Sequence, residues 1–74
     1  MIHELDTVVL TCNLPALDLK RGDVGTVVLV HNGGAGFEVE FLTLSGGTVS
    51  VVSLAADQIR HVARREIAHV RAMA

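Results

Sequence analysis

Apolar and polar positions alternate with a period of two through most of residues 1–62, and the period changes after that. Residues 5–12 read as a strand, with Val8, Leu10 and Cys12 on one side and Thr7, Val9 and Thr11 on the other. Asn13-Leu14-Pro15 ends it, because Pro15 has no N–H to give a ladder. Residues 16–22 form a loop, with Leu17 and Leu19 expected to tuck under the sheet. Residues 23–31 are the second strand. Val24, Val28 and Val30 are assigned to one face and Val27 and Leu29 to the other, so both faces are apolar. A strand of that kind is central in its sheet or covered on its outer side.

Asn32-Gly33-Gly34-Ala35-Gly36 reads as a hairpin turn, since glycine reaches positive φ without a steric cost. Residues 37–42 alternate cleanly, with Phe37, Val39 and Phe41 inward and Glu38 and Glu40 outward. Ser45-Gly46-Gly47 makes the next turn, and residues 48–54 form a fourth strand. Residues 55–58 suggest one helical turn and residues 59–62 a short closing strand. In residues 63–74, Ala63, Ile67, Val70 and Ala74 recur at helical spacing, which predicts a narrow amphipathic helix. An isolated helix of about 12 residues is marginal in water, so it is expected to dock on its own barrel, a second copy or a partner.

Short strands joined by glycine turns predict a mainly β fold: a small SH3-like antiparallel barrel of about five strands with a C-terminal α-helix. The domain assignment is residues 1–62 for the barrel and 63–74 for the helix. A chain of 74 residues makes one domain and buries only about 60% of the surface its unfolded form exposes. Half of the residues are apolar, which argues against disorder.

Charge divides the chain. Residues 1–56 carry Glu4, Asp6, Asp18, Asp23, Glu38 and Glu40 against Lys20 and Arg21, whereas residues 57–74 carry Arg60, Arg64, Arg65 and Arg71 against Asp57 and Glu66. An acidic body with a basic tail favours a basic partner for the body, or association of tail with body. Cys12 is the single cysteine, so no disulfide forms within the chain. With no secretory apolar region near Met1, a reducing cytoplasm is the expected setting. No apolar run approaches the roughly 20 residues of a membrane helix, and no membrane contact is expected.

Three stretches carry a family likeness: Glu4-Leu5-Asp6-Thr7-Val8-Val9-Leu10, Asn13-Leu14-Pro15, and Leu19-Lys20-Arg21-Gly22-Asp23-Val24-Gly25-Thr26-Val27-Val28. Phe37-Glu38-Val39-Glu40-Phe41, Val51-Val52-Ser53-Leu54 and Asp57-Gln58-Ile59-Arg60 add to it. Together they resemble a bacterial family of small domains catalogued as domain of unknown function 4926, over roughly residues 1–62. The resemblance implies a compact SH3-like barrel in a bacterial cytoplasm, and it brings no catalytic residues with it. Residues 20–28 also look faintly like the KOW motif of ribosomal and transcription proteins, without that motif's basic character.

Candidate chemistry is sparse. His3, His31, His61 and His69 lack the close spacing of a metal site, and Cys12 stands alone, so neither metal nor cofactor is expected. A Cys12–His31 nucleophilic pair needs a thiolate, a base within reach and a cleft, and Cys12 falls in register with core positions. Glu38 and Glu40, about 7 Å apart on one strand face, lack the environment that separates an acid from a base. The glycine-rich turn at 32–36 lacks the helix and lysine of a phosphate cradle.

The expected function is therefore non-enzymatic: a small protein-interaction module. One form is a homodimer joined through the tail helix, with Ile67, Val70, Arg64, Arg65 and Arg71 as contacts. Another is an accessory or antitoxin-like protein whose acidic strip (Glu38, Glu40, Asp18 and Asp23) meets a basic protein. The alternative is a nucleic-acid-binding module that uses the arginines of the tail. The acidic body and the lack of aromatic stacking platforms weigh against it.

Overall fold

The structure is a computed structural model that describes residues 1–73. Its strands are β1 (Thr7–Leu10), β2 (Val24–His31), β3 (Gly36–Leu42), β4 (Thr48–Ala55) and β5 (Ile59–His61). They form one antiparallel sheet in the order β4-β3-β2-β1-β5. β1 to β4 are laid down by consecutive hairpin-like returns, and β5 closes back on β1.

The sheet is coiled by its own connectivity. β4 and β5 lie at opposite edges, yet only the 3-10 turn Ala56–Gln58 separates them in sequence. Four flat interstrand gaps would put the edges about 19 Å apart. A three-residue 3-10 turn advances only about 2 Å per residue. The sheet must therefore roll to bring its edges together. No ladder joins β4 to β5 among the described residues, so hydrogen bonds do not complete a closed barrel.

Rolling gathers one small core. Val8, Leu10, Val27, Phe37, Val39, Phe41, Leu54 and Ile59, which come from all five strands, pack with Leu19 from the loop after β1. Loop 11–23 is organised by polar contacts. Pro15–Leu17 form a 3-10 turn, and the Arg21 N–H donates to Asn13 Oδ1 at 2.9 Å. Leu19 is buried as expected, whereas Leu17 stays 40% exposed. Gly22, at φ 96°, occupies the position of a tight turn that only glycine fills without strain. The turn is closed by the Asp23 N–H donating to the Lys20 carbonyl at 2.9 Å, and the Lys20 N–H returns a bond to Asp23 Oδ2 at 2.8 Å.

β2 is the central strand, and its apolar character on both faces has a specific origin. The pairing with β3 shifts between Val27 and Leu29, a β-bulge at Val28. Val27 is buried on the core side, while the consecutive residues Val28 and Leu29 are both exposed, and Val30 returns to the core margin. Strict alternation across Val28 and Leu29 therefore does not hold, and Val24, Val28 and Leu29 are 40% or more exposed on the outer side of this strand.

The expected C-terminal α-helix is absent. Residues 63–73 contain no helix, only a turn near 64–65 followed by irregular chain. The helical stripe offers too little surface to bury, since two of its four members are alanines. Polar contacts hold the start of the segment to β5 instead. Glu66 accepts from Arg60 at 2.6 and 2.7 Å and from the Ala63 N–H at 2.5 Å. Ile67 and Val70, the large members of the stripe, are 92% and 72% exposed. Ala74 lies outside the described residues.

Candidate functional site

The outer side of β2–β4 follows directly from strand register. In antiparallel pairs, residues directly across from one another share a face. Phe37, Val39 and Phe41 point into the core, so Glu38, Glu40 and Leu42 point out. Across from Glu38 stand Leu29 and Ser53, and across from Glu40 stand Thr26 and Val51. The result is an apolar surface made by Val24, Val28, Leu29, Leu42 and Val51, all of them 40% or more exposed. Two carboxylates run down its middle strand.

Those carboxylates are held in place. Glu38 accepts from Ser53 Oγ at 2.5 Å and pairs with His31 Nε2 at 2.8 Å. The Ser53 bond first, then the His31 bond, holds its pKa below the ordinary carboxylate value, so Glu38 is a fixed anion at neutral pH. Glu40 accepts from Thr48 Oγ1 at 3.3 Å. Anchored anions within an apolar field suit a partner that brings apolar groups together with cations or N–H donors.

The other two residues of the expected acidic strip are placed elsewhere. Asp18 and Asp23 meet the tail. Arg71 donates through Nε to Asp23 Oδ1 at 2.8 Å and through a terminal nitrogen to the Asp18 carbonyl at 2.9 Å. A second bond to Asp23 makes the contact bidentate. The Arg71 hydrogen bond is the main cause that lowers the Asp23 pKa. The four acids thus divide into a pair on the outer face of β3 and a pair that binds the chain's own arginine.

The tail is pinned twice. Arg60 binds Glu66, and Arg60 stands across from Val9 in the β1–β5 ladder. Asp23 binds Arg71, and it directly precedes Val24, which stands across from Val9 on the other side. Residues 66–71 therefore run between the two neighbours of Val9. Val9 points away from the core cluster, between Val8 and Leu10, yet it is only 6% exposed. Arg64 and Arg65 are exposed on the turn that begins this strap. Of the four arginines read as a cationic cluster, two are committed to carboxylates within the chain.

The remaining candidates stand apart. Cys12 is half-buried and receives a long contact, 3.9 Å, from the Gln58 amide. Cys12 lies beyond the end of β1 that pairs with the start of β2, and His31 ends β2, about 20 Å of strand away. Among the described residues no three of His, Cys, Asp or Glu gather as a metal-ligand group. Two open grooves of about 410 Å³ each flank the sheet, one lined by Asn13, Pro15, Asp18, Leu19 and Lys20, the other by residues near the N-terminus with Val30 and Gly33. No helix among the described residues is long and apolar enough to cross a membrane.

Sequence reasoning missed the bulge, and it foresaw an association of tail with body without the Arg71–Asp23 contact that makes it. The unbroken apolar run Val27-Val28-Leu29-Val30, which a period of two cannot place on one face, was the signal for the bulge. The opposite charges of body and tail were the signal for the second. No curated protein and no solved structure matches the chain. The family model described as a domain of unknown function, DUF4926, matches residues 4–61, and the chain belongs to that family.

Proposed function

We propose that this protein is a non-enzymatic protein-interaction module whose contact surface is the outer side of β2–β4. The observation that carries the reading is the uncovered apolar field of Val24, Val28, Leu29, Leu42 and Val51 around the anchored Glu38 and Glu40. Contiguous apolar surface rimmed by polar groups marks association sites. The bulge at Val28 supports the reading, because it turns two successive large apolar side chains toward solvent where alternation would hide one. The partner this surface fits is a protein with apolar side chains and one or two basic groups placed for Glu38 and Glu40.

The test is a photo-crosslinking residue introduced at position 29 in the native cell, with position 64 on the tail turn as the control. The expected outcome is a discrete protein adduct from position 29 and none from position 64. Absence of any adduct from position 29, with the variant folded, overturns the proposal.

A further inference from the structure

The two edges of the sheet are guarded very differently. β5 is three residues long and carries Arg60, which is tied to Glu66. β4 is eight residues long, with the sequence Thr-Val-Ser-Val-Val-Ser-Leu-Ala. No charged residue and no proline occurs between Glu40 and Asp57. β4 pairs with β3 on one side, and among the described residues no backbone bond or strand covers its other side. Edge strands of soluble proteins are ordinarily shortened, charged, interrupted by proline or covered. β4 is long, uncharged and free of proline. A register shift near Leu42 distorts only its first residues.

We infer that the free edge of β4 pairs antiparallel with β4 of a second copy, joining two sheets into one continuous sheet of ten strands about a two-fold axis. The occupant follows from the strand's own chemistry. A neutral edge rich in valine and serine repels no copy of itself, and a second copy brings an edge of the same length and the same side chains. A two-fold axis also uses the edge once, so the contact closes at two copies and does not propagate. The opposite edge, short and bearing Arg60, offers no second site for growth.

Strand geometry restricts the register. Residues directly across an antiparallel pair share a face, so each pair must join inner-facing with inner-facing or outer-facing with outer-facing residues. Any axis centred on a residue of the regular part of β4 meets this condition, and we place it on Val51, the outward-facing residue near mid-strand. Val51 then faces Val51 of the second copy on the outer side, and Ser50 faces Val52 on the inner side. Val52, which only partly covers the core margin in one chain, gains a neighbour there. Val51, 52% exposed in the single chain, gains a cross-strand valine. The outer faces of both copies then lie side by side. This deepens the interaction-module reading by doubling its contact surface, and it rests on that reading for its purpose.

The test uses the purified chain. Sedimentation velocity at micromolar concentrations should show a dimer, and Val51→Lys, which sets two cations across the axis, should weaken it by about tenfold or more. The Val51→Cys variant in a Cys12→Ser background keeps a small apolar side chain and probes the register directly. Directly opposed strand residues have Cα atoms about 4.5–5.5 Å apart, within disulfide reach. Rapid oxidation to a disulfide-linked dimer is expected, with slow or no linkage from Ser53→Cys. A purely monomeric chain, or a dimer untouched by Val51→Lys and not linked through position 51, overturns the inference. Either result leaves the outer-face crosslink at position 29 to stand or fall by itself.

Discussion

Gly25 stands across from Val8 on the core side of β2, and a methyl group placed there would lie 2.6 Å from Val39 Cγ1 and 2.9 Å from Phe41 Cε1. Those neighbours are buried core side chains with little room to retreat. Gly25→Ala is therefore expected to lower stability by about 1–3 kcal/mol through overpacking, read as a lower urea midpoint with an unchanged slope. Asp23 has a different kind of importance. It closes the turn into β2 through the Lys20 N–H, and it receives Arg71 from the far end of the chain. Arg71→Ala should detach the strap and leave the turn intact, seen as new protease sensitivity confined to residues after 62. Equal sensitivity in both proteins would contradict the pinning. Acid should produce the same release. The Arg60 hydrogen bond chiefly holds Glu66 at about 2, below an ordinary 4.5, and Asp23 is lowered from 3.8. Both folded values lie below the unfolded ones, so both contacts are fully present above the ordinary carboxylate range. They are lost as pH falls through the folded values, toward pH ~2 for Glu66. Backbone NMR of residues 67–73 across this acid range checks the sign, and a tail already free at neutral pH contradicts it.

The strands and turns of residues 1–62 are readable because each is specified locally. Phe37, Val39 and Phe41 alternate with Glu38 and Glu40, and the structure buries the first three and turns out the other two. The glycine turns at 33–34 and 46 take positive φ where the sequence places them. The bulge was hidden because it depends on how β2 meets β3, and no local period encodes pairing. This gives a contrast to measure at the element scale. Leu29→Ser, on the exposed side of the bulge, should change stability by no more than about 0.5 kcal/mol. Val27→Ser, two residues away and fully buried, should cost several times more, because it removes core contacts and buries a hydroxyl. Similar costs at both positions would contradict the bulge. The tail was misread for a related reason. The spacing of Ala63, Ile67 and Val70 fits a helix, yet the binding partners of Glu66 and Arg71 lie on other elements, and a periodicity argument cannot see them.

The whole molecule joins a small rolled sheet to a basic strap folded back on its acidic body. The uneven charge evident along the chain is thus partly settled within it, by Arg71 on Asp23 and the Asp18 carbonyl. What remains unsettled is apolar. One side of β2–β4 keeps Val24, Val28, Leu29, Leu42 and Val51 in contact with water. Burying such side chains is worth roughly 25 cal/mol per Å² of apolar area, a standing drive toward association. The acidic strip expected from sequence is legible in part, since Glu38 and Glu40 lie within this surface. Asp18 and Asp23 were separated from them by a contact made 48 residues along the chain from Asp23. The most direct measurement is the size of the assembly that contains this protein in fresh cell extract, compared with the purified chain and with a Val24→Ser, Val28→Ser, Leu29→Ser triple variant. The native protein should migrate as a larger species than the purified chain, and the folded triple variant should fall back to the purified chain's size. A native protein that already migrates at the purified chain's size would contradict the account.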